Sequence, residues 1–432
     1  MSQMTQRAAI GRPRTMLSSA LRSGGSAVGA LLLPIVMALA VASCNGILDV
    51  SLPGKVDAGV LDNPALAATM VTSAQADFEC AFSEYVHSTG LWANELWNSS
   101  GGAEVNPWGA RLSTYDAGTG TCPTQISNRG AFDVYLPLQI ARVQADSAIA
   151  RLDRFTDADV PNRAKLTAQA AAYGGYAYML LGEAYCEMAL DASAIVAPSD
   201  VLAVAEQRFS RAIDLATSAG DAAILNLALV GRARVRLDLG NVSGAAADAE
   251  LVPQGFVYNA TYDLTPFRRN NTVVLNENVN FHESVAPEFR NLTVDGVPDP
   301  RVPVVDAERF GQDAVTPLWV QEKYDGVDAP IPMATWDEAQ LIIAEAEGGE
   351  TAVDAINAIR DEYELPHYGG GSDEEIMDQI LEERRRTLFL DGHAIGDHLR
   401  YGIPFATGLN QKGVRYGDLT CLPLPPSELS GR

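Results

Sequence analysis

Trp92, Trp97, Trp108 and Tyr115 fall in one stretch, Leu91 to Tyr115, among Asn94, Asn98, Asn106 and Arg111. Flat aromatic rings stack on the C–H faces of sugars, while amides and a guanidinium bind hydroxyls, so this mixture suits a glycan ligand. Trp319 is a further aromatic candidate later in the chain. The competing reading is that the tryptophans anchor an irregular loop to neighbouring helices. Glu95 and Glu104 lie in the same stretch, but two carboxylates close in a sequence with 55 acidic residues carry little weight as a glycosidase pair. No Gly-x-Ser-x-Gly, phosphate loop or His-Glu-x-x-His occurs, so no catalytic residue and no cofactor are assigned.

Three other groupings bear chemistry. His393, Asp397 and His398 have spacing that can place ligands on one helix face, yet a structural role is the better reading, and no metal is assigned. A calcium site at Asp325 and Asp328 is weaker still, for lack of a ligand series. Glu382-Glu383-Arg384-Arg385-Arg386 offers i, i+4 pairing of Glu382 with Arg386 and reads as an ion-pair network rather than an anion site.

The elements that must hold these residues are mostly α-helical. From Ala170 to Pro253 small residues recur at helical spacing: Gly174, Ala177 and Ala184, then Ala205, Ala212 and Ala216, then Gly231, Ala233, Ala245 and Ala249. Small residues at crossings allow close helix approach, with Leu181, Phe209 and Tyr185 filling the gaps. This predicts two tetratricopeptide-like helix–turn–helix units, which need further repeats to stack on. Helices are also expected over Asn63–Tyr85, Phe132–Phe155, Thr335–Glu347, Thr351–Tyr363 and Asp373–Leu390. From Phe256 to Pro332 the chain is rich in Pro, Asn and β-branched residues. It reads as irregular, with short extended segments at Thr272–Leu275, Val302–Val305 and Leu318–Tyr324.

Residues 1–43 hold Arg7, Arg12, Arg14 and Arg22 and no acid, followed by an apolar run ending in Val41-Ala42-Ser43-Cys44. This is the pattern of a secretory signal with a lipoprotein cleavage box, in which the Cys44 thiol takes the lipid. The expected organisation is a signal peptide over 1–43, a lipidated tether over 44–62 and one domain over 63–432. That domain carries repeat helices over about 128–253 and 335–400 and an irregular ligand-side region over about 256–332. Removal of the signal takes away four positive charges and none negative, so the net charge of −24 becomes −28. Such a charge argues against nucleic acid as a partner. Cys80, Cys122, Cys186 and Cys421 remain, an even number suited to two disulfides in an oxidising compartment. Three pairings are possible and the sequence does not choose; Cys80–Cys122 with Cys186–Cys421 is preferred, since the second bridge pins the tail to the repeats.

Several segments, in order, resemble the SusD/RagB family of nutrient-uptake outer-membrane lipoproteins. They are the start at Cys44-Asn45-Gly46-Ile47-Leu48-Asp49-Val50, then Asp299-Pro300-Arg301-Val302 and Gln321-Glu322-Lys323-Tyr324. Trp336-Asp337-Glu338-Ala339 and Ala355-Ile356-Asn357-Ala358-Ile359-Arg360 follow. Ile380-Leu381-Glu382-Glu383-Arg384-Arg385-Arg386 with Leu388-Phe389-Leu390-Asp391-Gly392-His393 comes next, and Leu422-Pro423-Leu424-Pro425-Pro426-Ser427-Glu428-Leu429 closes the series. The resemblance implies a protein that performs no chemistry. It implies one anchored by lipid at the outer membrane and surface of a Gram-negative cell, capturing oligosaccharides or peptides for a SusC-like TonB-dependent transporter. The chain is short for that family, and four disulfide cysteines are not a hallmark of it. The alternative reading is a lipid-anchored repeat scaffold that binds only proteins.

The anchoring expectation is direct to test. Cys44→Ser should abolish incorporation of a metabolic fatty-acid label and leave an uncleaved precursor; equal labelling of the variant would refute the lipid anchor.

Overall fold

The computed structural model describes residues 58–429, apart from 103–104, 113–133, 192–193 and 266. Cys44, Glu104, Tyr115 and Cys122 therefore lie outside the described residues. The chain from Ala58 on clusters as one unit.

The first long helix, α1, runs Ala67–Trp92. Asn63 and Pro64 start the helical segment as their types suggest: the Asn63 side chain accepts from the Ala65 N–H, and Pro64 opens a single 3₁₀ turn. The helix does not stop at Tyr85, however, but continues to Trp92. Every residue from Phe78 to Trp92 is buried, so this part of α1 has no polar stripe and its periodicity is invisible in the sequence.

The helices α2 (Tyr135–Leu152), α3 (Arg163–Ala184), α4 (Pro198–Ala219), α5 (Ala222–Asp238) and α6 (Val242–Ala249) follow. Each packs on the next, as tetratricopeptide-like repeats do. The turns carry their own stops and starts. Gly220 ends α4 at φ 66°, Asp221 caps α5 through the Ile224 N–H, and Asn241 caps α6 through the Gly244 N–H. The predicted small-residue crossing at Gly231 is real, and the structure adds one at Gly175. A Cβ on Gly175 or on Gly231 would stand 2.7 or 2.5 Å from atoms of the Phe209 ring, so α3 and α5 close on α4 around that ring.

After the irregular region the repeat resumes. α7 (Trp336–Glu347), capped by the Thr335 hydroxyl, packs on α6 and on α8 (Gly349–Glu362), and α9 (Asp373–Thr387) packs on both α7 and α8. α10 (Ala394–Tyr401) returns to α1 and α3. The fold is thus mostly α, and its few strands are short and arranged in pairs.

Buried charge ties the two helical halves together. Arg234 on α5 is 8% exposed. Its Nε and Nη2 each donate to the Glu183 carboxylate of α3 at 2.6 Å, its Nη1 lies 3.1 Å from His393 Nε2, and Glu338 of α7 is 3.8 Å away. The charged block of α9 forms a second network. Arg301 pairs with Asp299 at 2.7 Å and with Glu383, which also holds Arg360 at 2.6 Å. Glu382 binds Arg385 and Arg386, as the ion-pair reading of that block expected.

In the irregular region the segment Thr272–Leu275 is helical rather than extended, because the Asn271 side chain accepts from the N–H groups of Val273 and Val274 and starts a turn. β-Branched residues gave way to a local cap. Among the described residues no helix is long and apolar enough to cross a membrane.

Cys186 and Cys421 form a disulfide with Cα atoms 5.2 Å apart, beside the Tyr185–Leu422 bridge, so the tail is fixed to the end of α3. Cys80 is also disulfide-bonded.

Two outcomes follow from this packing. Gly231→Ala should destabilise the protein by about 1–3 kcal/mol in urea denaturation, because the new methyl overlaps Phe209, whereas Gly369→Ala, which meets nothing within 4 Å, should stay near wild type. Cys186→Ala with Cys421→Ala should lower stability by about 2–5 kcal/mol and make the segment beyond Tyr401 susceptible to limited proteolysis.

Candidate ligand-binding site

The residues singled out between Leu91 and Arg111 separate into two groups. Trp92 is wholly buried; its indole N–H donates to the Thr420 carbonyl at 2.9 Å, and its ring meets Trp108 edge-on at 5.1 Å. Trp108, 2% exposed, donates to the Ser88 carbonyl at 2.8 Å. Arg111 is buried under the tail. It donates to the carbonyls of Leu419 and Ala406 and to Asn94, and it lies over the rings of Phe405 and Tyr416. Asn94 in turn donates to the Tyr416 hydroxyl at 3.0 Å. Asn98 bonds Asn106 and the Ser100 N–H. Trp92, Trp108, Arg111 and Asn98 therefore do not offer free faces to a ligand. A loop with little secondary structure has backbone groups to satisfy, and these side chains fasten it to α1 and the tail.

Trp97 and Trp319 are different. Both are only partly buried, and the fold brings them to the same place from positions far apart in the chain. Trp97 lies on β1 (Leu96–Asn98), paired antiparallel with β3 (Glu283–Val285), where β2 is the strand Val257–Ala260. The register sets Trp97 opposite Ser284, so the two side chains share a face. Trp319 lies on β5 (Pro317–Gln321), paired with β4 (Val304–Phe310) so that Asp306 stands opposite it. Ser284 joins the two ladders. Its hydroxyl donates to the Pro317 carbonyl at 2.8 Å and accepts the Trp319 N–H at 2.9 Å.

Arg290 completes the group. It follows the 3₁₀ turn Pro287–Phe289, and its Nε and Nη2 donate back to the Val285 carbonyl at 2.9 and 2.6 Å. That fold-back sets its guanidinium 5.4 Å from the Trp97 ring centre and 5.1 Å from that of Trp319. Burial lowers the Arg290 pKa, opposed by Glu288 and Asp306, and the group remains a cation. Two indoles near one guanidinium, with a carboxylate opposite Trp319 in the strand pair, can stack a flat apolar face and hydrogen-bond hydroxyls together. Nothing in the sequence marked Ser284, Arg290 or Asp306, because their role depends on strand register and a backward turn.

Beneath β3 the buried His87 and Glu283 are paired. His87 lies 3.2 Å from Glu283; burial pulls its pKa down, but Glu283 and Glu84 outweigh burial and leave it raised. His393, Asp397 and His398 do not converge. His393 faces Arg234, Asp397 pairs with Arg384 at 2.7 Å, and His398 Nδ1 lies 3.0 Å from the Ile403 carbonyl.

No protein-family model matches the sequence, and no curated protein matches it either. Solved structures do match in fold. A SusD-like carbohydrate-binding protein from Bacteroides vulgatus shares 16% identity at a TM-score of 0.60, covering 81% of this chain and 85% of its own. A SusD superfamily protein from Parabacteroides distasonis shares 10% identity at 0.61, with 87% and 98% covered. The surface glycan-binding protein A from Bacteroides thetaiotaomicron, solved with laminarihexaose, shares 13% at 0.59, with 85% and 97% covered. The helical repeats, the irregular region between them and the returning C-terminal helices together make this chain one of SusD-like fold.

Proposed function

We propose that this protein is a glycan-binding lipoprotein of the cell surface, and that Trp97, Arg290 and Trp319 form its ligand platform. The observation that carries the reading is the pair of partly buried indoles whose ring centres lie 5.4 and 5.1 Å from one guanidinium. Asp306 and Ser284 set the edge of that platform, Asp306 as an acceptor for hydroxyls and Ser284 as the hinge between the two strand pairs. The fold shared with a glycan-binding protein solved with a bound oligosaccharide supports the ligand class. The protein captures its ligand without chemistry, is tethered through the lipid on Cys44, and passes the ligand to a SusC-like TonB-dependent transporter in the outer membrane.

Trp92 and Trp108 favour a purely structural account of the aromatic stretch, whereas Trp97 and Trp319 do not. Peptides are the second ligand class, since the same platform can stack a peptide aromatic.

The test is an oligosaccharide and peptide array, followed by calorimetry with the best ligand. Trp97→Ala and Trp319→Ala should each cost about 1–3 kcal/mol of binding, roughly a tenfold to hundredfold loss, with thermal melting little changed. Trp92→Ala and Trp108→Ala should act oppositely, lowering the melting temperature first. Full affinity in both Trp97→Ala and Trp319→Ala would remove the site from this platform.

A further inference from the structure

A cleft of about 550 Å³ opens between the turn after α1, the later half of α9 and the stretch from α10 to Thr407. Neither Trp97 nor Trp319 lines it, so it is separate from the platform above. Its size suits a small organic ligand. The floor is apolar, with Phe289, Leu388, Ala394, Ile403 and Phe405. The two guanidinium groups in the lining are already engaged, Arg384 with Asp397 and Arg385 with Glu382, each at 2.7 Å. The lining carboxylates Glu288 and Asp378 are exposed, and neither has an ion-pair partner among the described residues.

Glu95 belongs to the inner wall and is 3% exposed. Its Oε1 accepts the Leu390 N–H at 2.9 Å, but its Oε2, set against Gly90, is buried with no hydrogen-bond partner. The bases near it are committed or neutral. Lys323 is held by Asp391 at 2.8 Å and by the Phe389 carbonyl. Burial lowers the pKa of His393, with Arg234 adding to the effect, and burial lowers that of His398. Asp391 and Asp397 add negative charge. Burial first, and then those carboxylates, push Glu95 up to about 8, against the Leu390 N–H and Lys323, which lower it. An unpartnered buried oxygen in a cleft with unpaired acids at its mouth is a cost that a cationic ligand would remove.

We propose that this cleft is a second binding site, for an organic cation with an apolar body, with Glu95 as its buried counter-ion. Glu288 and Asp378 attract the charge at the mouth, the floor takes the apolar body, and the ammonium comes to rest beside Glu95. A cation there favours the carboxylate, so Glu95 releases its proton on binding while the amine keeps its own. Affinity therefore rises as pH climbs towards about 8 and levels off beyond, where the carboxylate is already ionised in the free protein.

The experiment is calorimetry on the mature chain with 2-phenylethylamine and its neutral counterpart 2-phenylethanol, in two buffers of different ionisation enthalpy. At neutral pH the amine should bind about tenfold or more tighter than the alcohol and release a proton. Glu95→Gln should abolish the release and bring the amine down to the affinity of the alcohol. Glu288→Gln with Asp378→Asn should weaken the amine and reduce its salt dependence. Trp97→Ala should leave amine binding unchanged, which separates this site from the glycan platform whether or not that platform is correct. Equal binding of amine and alcohol, no amine binding at millimolar concentration, proton release that persists in Glu95→Gln, or loss of amine binding in Trp97→Ala would each overturn the proposal.

Discussion

Arg234 is the constraint on which the rest of the structure depends. It lies inside the protein and reaches Glu183 on α3, Glu338 on α7 and the turn at Gly392–His393. A buried guanidinium must be satisfied on several edges at once, and here the edges belong to helices from both ends of the chain. Such a group adds little net stability over a well-packed apolar substitute, but loss of one partner leaves a stranded charge costing about 3–5 kcal/mol. Its effect is to specify one arrangement of α3, α5 and α7. Burial pushes Glu338 up to about 7, and Arg234 and Arg384 pull against that shift, so the charge of the centre is balanced by its own members.

That arrangement determines where the irregular region can lie. α6 packs on α7 directly, so the segment between them is expelled to the side and must build its own contacts. It does so with short strand pairs and with single polar side chains acting as joints, of which Ser284 is the clearest. A serine hydroxyl on β3 that donates to the Pro317 carbonyl and accepts the Trp319 N–H, both on β5, replaces the backbone ladder that β3 and β5 lack. The two indoles are placed through that joint.

The helical part was legible because its signals are local. Gly at a close crossing read correctly at Gly231 and the helical start at Asn63–Pro64, whereas the caps at Gly220, Asp221 and Asn241 are seen only in the structure. The aromatic stretch was legible in type but not in role. Trp92 and Trp97 sit five positions apart in nearly identical company, and what separates them is that Trp92 ends a buried helix while Trp97 lies on a strand. The acceptors that bury Trp92 and Arg111 come from Ala406, Leu419 and Thr420, and no local pattern announces partners that distant. Arg290 was missed because, although the Val285 carbonyl that holds it is only five residues back, the Trp97 and Trp319 rings it meets come from other strands.

Those distant acceptors have a consequence for the order of assembly. A chain made from its N-terminus presents α1 and its aromatic stretch long before the carbonyls that satisfy Trp92 and Arg111. Cys421 arrives with them and closes a covalent ring back to Cys186, 235 positions earlier. Until then the end of α1 has unpaired donors and exposed indoles, the condition under which a slow, non-local fold is open to aggregation. Arrival of the segment around Thr420 is therefore the event that seals α1.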